Sequence, residues 1–387
     1  MNKYPNVPLG QICNIEIGRT PSRNQPKYWG NGYSWLSIAD MKNSKFLSET
    51  KEQVTDLAIG ECNMKLVPQG TLLFSFKLSV GKVGIASKDL FTNEAIAALK
   101  IKREKEVYQP FLYHALGFLN FDGKGDRAVK GITLNKAKLR ELLIPLPSLS
   151  EQKRIAKILD KADALRQKNK QLLVAYDELL QATFLDMFGD PVTNPKGWAK
   201  KLIKEIGKVV TGNTPPRANQ ENYGNYIEWI KTDNISSDII YPTNSREFLS
   251  ESGMKKGRVV PVGTILVTCI AGSLSSIGNC VITNREVAFN QQINAIIPQK
   301  CNSYFLYSVM QYSKKATQDA ATKGMKKLLI KSNFEKLAII CPPITLQDQF
   351  AQIVENIEAQ KTLAKQSLQE SEDLFNGLVQ KAFGGEL

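Results

Sequence analysis

The chain repeats itself once, and no other feature constrains its fold as strongly. Residues 18–41 (GRTPSRNQPKYWGNGYSWLSIADM) align with residues 212–235 (GNTPPRANQENYGNYIEWIKTDNI) at a shift of 194. Gly18, Thr20, Pro21, Arg23, Gly30, Asn31 and Trp35 fall on Gly212, Thr214, Pro215, Arg217, Gly224, Asn225 and Trp229. Further matches join Pro68, Gly70 and Thr71 to Pro261, Gly263 and Thr264, and Lys130-Gly131 to Lys323-Gly324. From Pro147 onward a shift of 195 holds without a gap: Gln152 meets Gln347, and Phe188-Gly189 meets Phe383-Gly384. A repeat of half the chain means two copies of one unit, not one large core.

The charge divides the same way. The 387 residues carry a formal net charge of +14. Residues 1–193 hold 28 basic and 20 acidic side chains, and residues 194–387 hold 23 and 17, leaving +8 and +6. Both halves therefore suit the same kind of polyanionic partner. A hydrophobic fraction of 42% suffices for packed cores and argues against a mostly disordered chain. The single histidine, His114, leaves little room for His-based catalysis or His-rich metal sites, and is expected on a helix surface or in a core. The six cysteines form no C-x-x-C pair, so they read as small buried apolar residues. No apolar run is long enough to span a bilayer, and the first residues have no signal-peptide core, so a soluble, cytoplasmic chain is expected.

Each copy divides into a globular part and a long helical part. Residues 1–146 and 191–341 are rich in Gly, Pro, Asn and short β-type runs such as 70–76 and 263–269. This pattern predicts α+β domains of short strands, with helices near 108–119 and 302–312. Residues 147–190 and 342–387 are the helical regions. Ser148-x-x-Glu151 opens the first as a capping box, and Thr345-x-x-Asp348 offers a weaker one to the second. Ile155, Ile158, Ala162, Leu165, Asn169, Leu172, Tyr176, Leu179 and Thr183 alternate spacings of three and four, a heptad seam with Asn169 as its register residue. The second copy runs Phe350, Ile353, Ile357, then Ala364, Leu368, Ser371, Phe375, Leu378, with a stutter in its polar middle. Two such seams predict an antiparallel coiled coil and a pseudo-two-fold molecule. Gly189, with Pro191 beyond it, is the expected stop of the first helix.

Catalytic motifs are missing. Cys341-Pro342-Pro343-Ile344 is the nearest string to the base-holding loop of an amino-methyltransferase and is wrong at both ends. Neither Gly81-Lys82 nor Gly123-Lys124 has the surroundings of a Walker A loop. An Asp40…Glu49-x-Lys51 string has nuclease-like spacing, but the second copy lacks the Glu-x-Lys. What remains is binding chemistry. Basic, glycine-punctuated segments recur at matching places: Lys124, Arg127 and Lys130 in one copy, Lys323, Lys326 and Lys327 in the other. Arg19, Arg23 and Arg217 lie in the GxTPxR segments, and Lys77 and Lys82 bracket another loop. These are the candidate DNA contacts, since phosphates need Lys and Arg. The turn Asn290-Gln291-Gln292 could read adenine edges or could equally cap a strand end.

These residues resemble the specificity subunits of type I restriction-modification systems. The resemblance covers the whole chain. It rests on the GxTPxR…W segments of both halves, on Pro145-Leu-Pro-Ser-Leu-Ser-Glu-Gln152 before the first long helix, and on the Phe-Gly that ends it. Pro342-Pro-Ile-Thr-Leu-Gln-Asp-Gln349 departs from the usual Pro-Leu-Pro. The resemblance implies two target-recognition domains, each reading one half of a split, asymmetric site in double-stranded DNA. It implies a chain without catalysis or cofactor of its own. Two modification subunits would carry S-adenosylmethionine and methylate adenine, and restriction subunits would use ATP and Mg²⁺. The helix pair would act as a ruler: about 55 Å of helix exceeds the roughly 34–36 Å of one DNA turn. Two other classes remain open here: a coiled-coil adaptor for protein partners without DNA readout, and a self-contained methyltransferase or nuclease.

Overall fold

A computed structural model describes residues 4–42, 44–119, 126–128, 131–321 and 327–387. The chain forms two compact units: residues 1–170 with 366–387, and residues 171–365. The unit border falls within both long helices, so each unit owns the first part of one helix and the last part of the other.

In the first unit a five-stranded sheet has the order Cys13–Ile17, Ile96–Ile101, Leu72–Ser75, Val83–Ala86, Phe46–Leu47. Its pairings are antiparallel except the last, which is parallel. The central strand shows why this sequence chooses a strand. Gly70 takes a φ of +81°, which turns the chain into the run Thr71-Leu72-Leu73-Phe74. Successive side chains then point to opposite faces. Leu72 and Phe74 join a core with Phe111, Leu116 and Ile155, while Leu73 joins another with Leu36, Leu47 and Leu90. Both faces are covered, so the run reads as continuously apolar. A three-stranded sheet places Trp29–Leu36 between Glu52–Val54, antiparallel, and Phe91–Thr92, parallel.

The second unit repeats this plan. Gly207–Thr211, Ile293–Pro298, Ile265–Thr268 and Cys280–Ile282 form an antiparallel sheet in that order. Ile265 and Val267 face a core with Phe305, and Leu266 faces the opposite one with Phe289. Ile227–Ile230 pairs antiparallel with Phe248–Leu249 and parallel with Val287–Phe289, as its counterpart does in the first unit. In both units a short strand near the domain start pairs with the strand before the long helix: Asn6–Pro8 with Leu143–Pro145, and Lys200–Leu202 with Ala338–Ile340.

The first long helix spans Leu149–Phe188 and the second Ile344–Gly384. Ser148 caps the first, its hydroxyl accepting the Glu151 N–H at 3.4 Å. The second opens earlier than its Thr345 motif suggests. Thr345 lies inside the first turn, and the Pro343 carbonyl receives the N–H groups of Leu346 and Gln347. Gly189 ends the first helix with φ +74°, as expected, whereas Gly385 rather than Gly384 takes the left-handed turn after the second.

The helices pair antiparallel within each unit. In the first, Asn169 Nδ2 donates to the Ser367 carbonyl at 3.0 Å and to Ser371 Oγ at 3.2 Å, Lys170 pairs with Glu372 at 2.9 Å, and Arg166 lies over the Phe375 ring at 4.3 Å. In the second, Lys361 pairs with Asp177 at 2.7 Å, and Phe350 meets Phe184 and Phe188 edge-on. The polar middle of the second helix is thus engaged by Asn169, through the Ser367 carbonyl and the Ser371 hydroxyl, and by a mostly buried Lys361.

The interior face differs from the expected seam. Ile155, Ala162, Phe350 and Ile357 are buried, and Ile158, Asn169, Ile353, Leu368, Phe375 and Leu378 are half-buried. Leu165, Leu172 and Leu179 are exposed, at 47%, 41% and 51%. Leu159 and Leu180 are buried and Leu173 half-buried in their stead. Spacings of three and four describe either set. The doublets Ile158-Leu159, Leu172-Leu173 and Leu179-Leu180 supply an apolar residue to both. Packing on each domain's own core selects the face carrying Leu159 and Leu180.

Candidate nucleic-acid interface

Three loops meet at matching places in the two units. The GxTP segment comes first. Gly18 N–H donates to the Ile96 carbonyl at 3.3 Å, and Gly212 N–H to that of Ile293 at 3.1 Å. Both positions need glycine, since a Cβ would stand 2.1 Å from the carbonyl oxygen of Thr92 or of Asn290. This close approach lays the segment against the turn before the strand Ile96–Ile101 in one unit and Ile293–Pro298 in the other, residues Asn93–Ala95 and Asn290–Gln292. The Ala95 carbonyl in turn accepts the N–H of Phe76, and the Gln292 carbonyl that of Cys269, bringing in the loop that follows the central strand.

The candidate cations take different roles here. Arg19 is exposed and donates to the Cys62 carbonyl at 3.1 Å, which leaves its charge uncompensated. Lys77 is half-buried, with its ammonium 5.7 Å from the centre of the Phe76 ring. Lys82 is tied down, donating to the Ile38 carbonyl at 3.1 Å. Arg127 and Lys327 sit on the strands Asp126–Ala128 and Lys327–Leu328. Lys124, Lys130, Lys323 and Lys326 lie outside the described residues.

Arg23 and Arg217 are engaged in the protein. Arg23 forks onto Glu52, with Nη2 at 2.9 Å, and lies 4.0 Å over the Trp29 ring and 5.2 Å from that of Trp35. Arg217 pairs with Glu247 at 2.7 Å and lies between Tyr223 and Trp229, at 4.6 and 4.9 Å. Hydrogen bonds from Lys231 and Arg217 hold the Glu247 carboxyl below its usual range, and the Glu52 hydrogen bond raises Arg23. Each guanidinium is neutralised and stacked, so both fasten the GxTPxR segment to its sheet. Glu52 and Glu247 were not legible as partners: they lie 29 and 30 residues away, brought in by strand pairing. Their recurrence in both copies is the one signal that could have found them.

The other titratable groups are structural. Asp40 accepts the N–H and hydroxyl of Ser37 and the N–H of Lys51, so the nuclease-like string is a turn cap. His114 is a core residue, 5% exposed; its Nε2 lies 2.8 Å from Asp160 Oδ1, which also receives Lys45 at 2.6 Å. Burial lowers the His114 pKa against the pull of that carboxylate. All six cysteines are free thiols, and burial pushes Cys13, Cys269 and Cys301 up to about 12. Among the described residues no three His, Cys, Asp or Glu side chains gather to hold a metal, and no helix is long and apolar enough to cross a membrane.

Comparison with known proteins matches this duplicated arrangement. The family model for the type I restriction modification DNA specificity domain matches residues 1–174 and 195–372. The MjaIX type I specificity subunit of Methanocaldococcus jannaschii is 24% identical over 407 residues, covering 98% of this chain and 92% of its own length. The putative MjaX specificity subunit of the same organism is 23% identical, covering 89% and 84%. The crystal structure of a type I S subunit from M. genitalium has the same fold, with a TM-score of 0.60 at 15% identity, covering 99% of this chain and 96% of that one. A structure from a study of type I complex assembly and conformational transition scores 0.58 at 18% identity, covering 99% and 98%. The chain therefore belongs to the type I restriction-modification DNA specificity family, whose members are non-catalytic components of those systems.

Proposed function

We propose that each recognition domain reads one half of a bipartite, asymmetric DNA site, and that the long helices set the spacer and dock two adenine-methyltransferase subunits. The observation that carries this reading is the duplication of the loop cluster. The GxTP segment, the turn beside it and the loop after the central strand meet in both units in the same hydrogen-bond pattern. Two equal but non-identical readers on one chain suit two unequal half-sites. The net charges of +8 and +6 favour phosphate contact by each half. Within the second unit, the exposed Leu172 and Leu179 offer an apolar patch to a modification subunit. S-adenosylmethionine would be bound there, and ATP and Mg²⁺ on restriction subunits, in the cytoplasm.

Genome-wide mapping of methylated adenines in the host, with and without this gene, tests the proposal. A split motif that vanishes with the gene is expected. A methylome unchanged by its loss would overturn the reading.

A further inference from the structure

The turn beside the GxTP segment has the same geometry in both units but opposite polarity at its tip. Asn93 Oδ1 accepts the Ala95 N–H at 3.2 Å, and Asn290 Oδ1 the Gln292 N–H at 3.1 Å. Between them stand Glu94 and Gln291, both exposed. A threonine of the GxTP segment orients each side chain: the Thr20 hydroxyl donates to Glu94 Oε2, and the Thr214 hydroxyl to Gln291 Oε1. Each threonine therefore occupies one oxygen. Glu94 keeps its second oxygen, which only accepts; Gln291 keeps its NH₂, which only donates.

We propose that Glu94 and Gln291 each read a base edge in the major groove, with opposite hydrogen-bond polarity in the two half-sites. The inference rests on the DNA reading above. A carboxylate on a DNA-facing surface is repelled by phosphate and gains only where a base offers N–H. Glu94 therefore selects an exocyclic amino group, on cytosine or adenine. Gln291, with one lone pair of its oxygen taken by Thr214 and its NH₂ unengaged, offers donors and selects an acceptor such as a purine N7, guanine O6 or thymine O4. The two threonines are positioning residues that fix which atoms face outward.

The test is selection of bound duplexes from a random library by the full chain in complex with the modification subunits of its own system. The wild type, Glu94→Gln, Gln291→Glu and Thr214→Val are compared. Glu94→Gln should change the preferred base at one position of one half-site by about tenfold or more. Gln291→Glu should do so at one position of the other half-site. Thr214→Val should relax discrimination at the Gln291 position without moving it, because the freed amide can present either end. Unchanged base preference in both charge-swapped variants would overturn the inference and leave the two side chains as loop caps. If either variant fails to fold, the other decides alone. Absence of any split motif with the wild type would instead overturn the DNA reading itself.

Discussion

Gln152 Oε1 accepts the backbone N–H of Tyr108 at 2.8 Å. Its Nε2 donates to the carbonyls of Glu106 and Pro147 at 2.7 and 2.9 Å, all from a fully buried side chain. Gln347 repeats this, accepting from Asn302 at 2.9 Å and donating to Pro342 at 2.7 Å. Tyr108 and Asn302 each begin the helix that packs on the sheet of their own unit. One glutamine thus joins the start of each long helix to the domain it carries. Replacing either with alanine strands a buried N–H, and should destabilise its own unit by about 1–3 kcal/mol. Urea denaturation of the full chain checks this, with the loss expected in one unit per variant.

Arg23 and Arg19 stand four residues apart with opposite prospects. Arg23 is neutralised by Glu52, and Arg19 is not. Arg19→Ala should lower the slope of log K against log salt by about one phosphate contact, or roughly 0.9. Arg23→Ala should weaken binding through its loosened segment while the slope holds. Binding measured across a salt series separates the two.

His114 makes the first unit sensitive to acid. Burial lowers its folded pKa below the ordinary 6.5. Below about pH 6.5 the unfolded chain then binds more protons than the folded one, so stability falls as pH drops and is fully present above it. Asp160, held low by Lys45 and His114 against its burial, adds a loss only in the acid range below about 3.8. Denaturation midpoints between pH 5 and 8 should slope for the wild type and flatten for His114→Gln.

Leu179 tests the helix surface within the second unit. Being 51% exposed, it can be changed to glutamate at little cost to folding. Leu179→Glu should weaken co-purification of a modification subunit while leaving the denaturation midpoint in place. A fall in both would return Leu179 to a structural role.

The sequence exposed the repeat, the start of the first long helix and the short strands because each is written in residue spacing; the second long helix opens ahead of its Thr345 motif. Leu72, Leu73 and Phe74 alternate between two cores, as their period requires. The helix face was degenerate. Leu172-Leu173 and Leu179-Leu180 satisfy two seams equally, and only the packed domain chooses between them. The roles of the arginines were hidden for another reason. A basic residue in a loop looks the same whether it meets phosphate or a glutamate some 30 residues away, and strand pairing decides which. The Glu94–Thr20 contact spans 74 residues and was equally invisible, although the turn holding Gln291 stood out by composition.

Each half of the chain is proposed to read one half of the DNA site. Exchanging residues 1–146 for the corresponding domain of another specificity subunit, and mapping methylated adenines in cells that carry the chimera, separates the two halves. A new sequence in one half-site is expected, with the other half and the spacer retained. Altered sequence in both halves would contradict it.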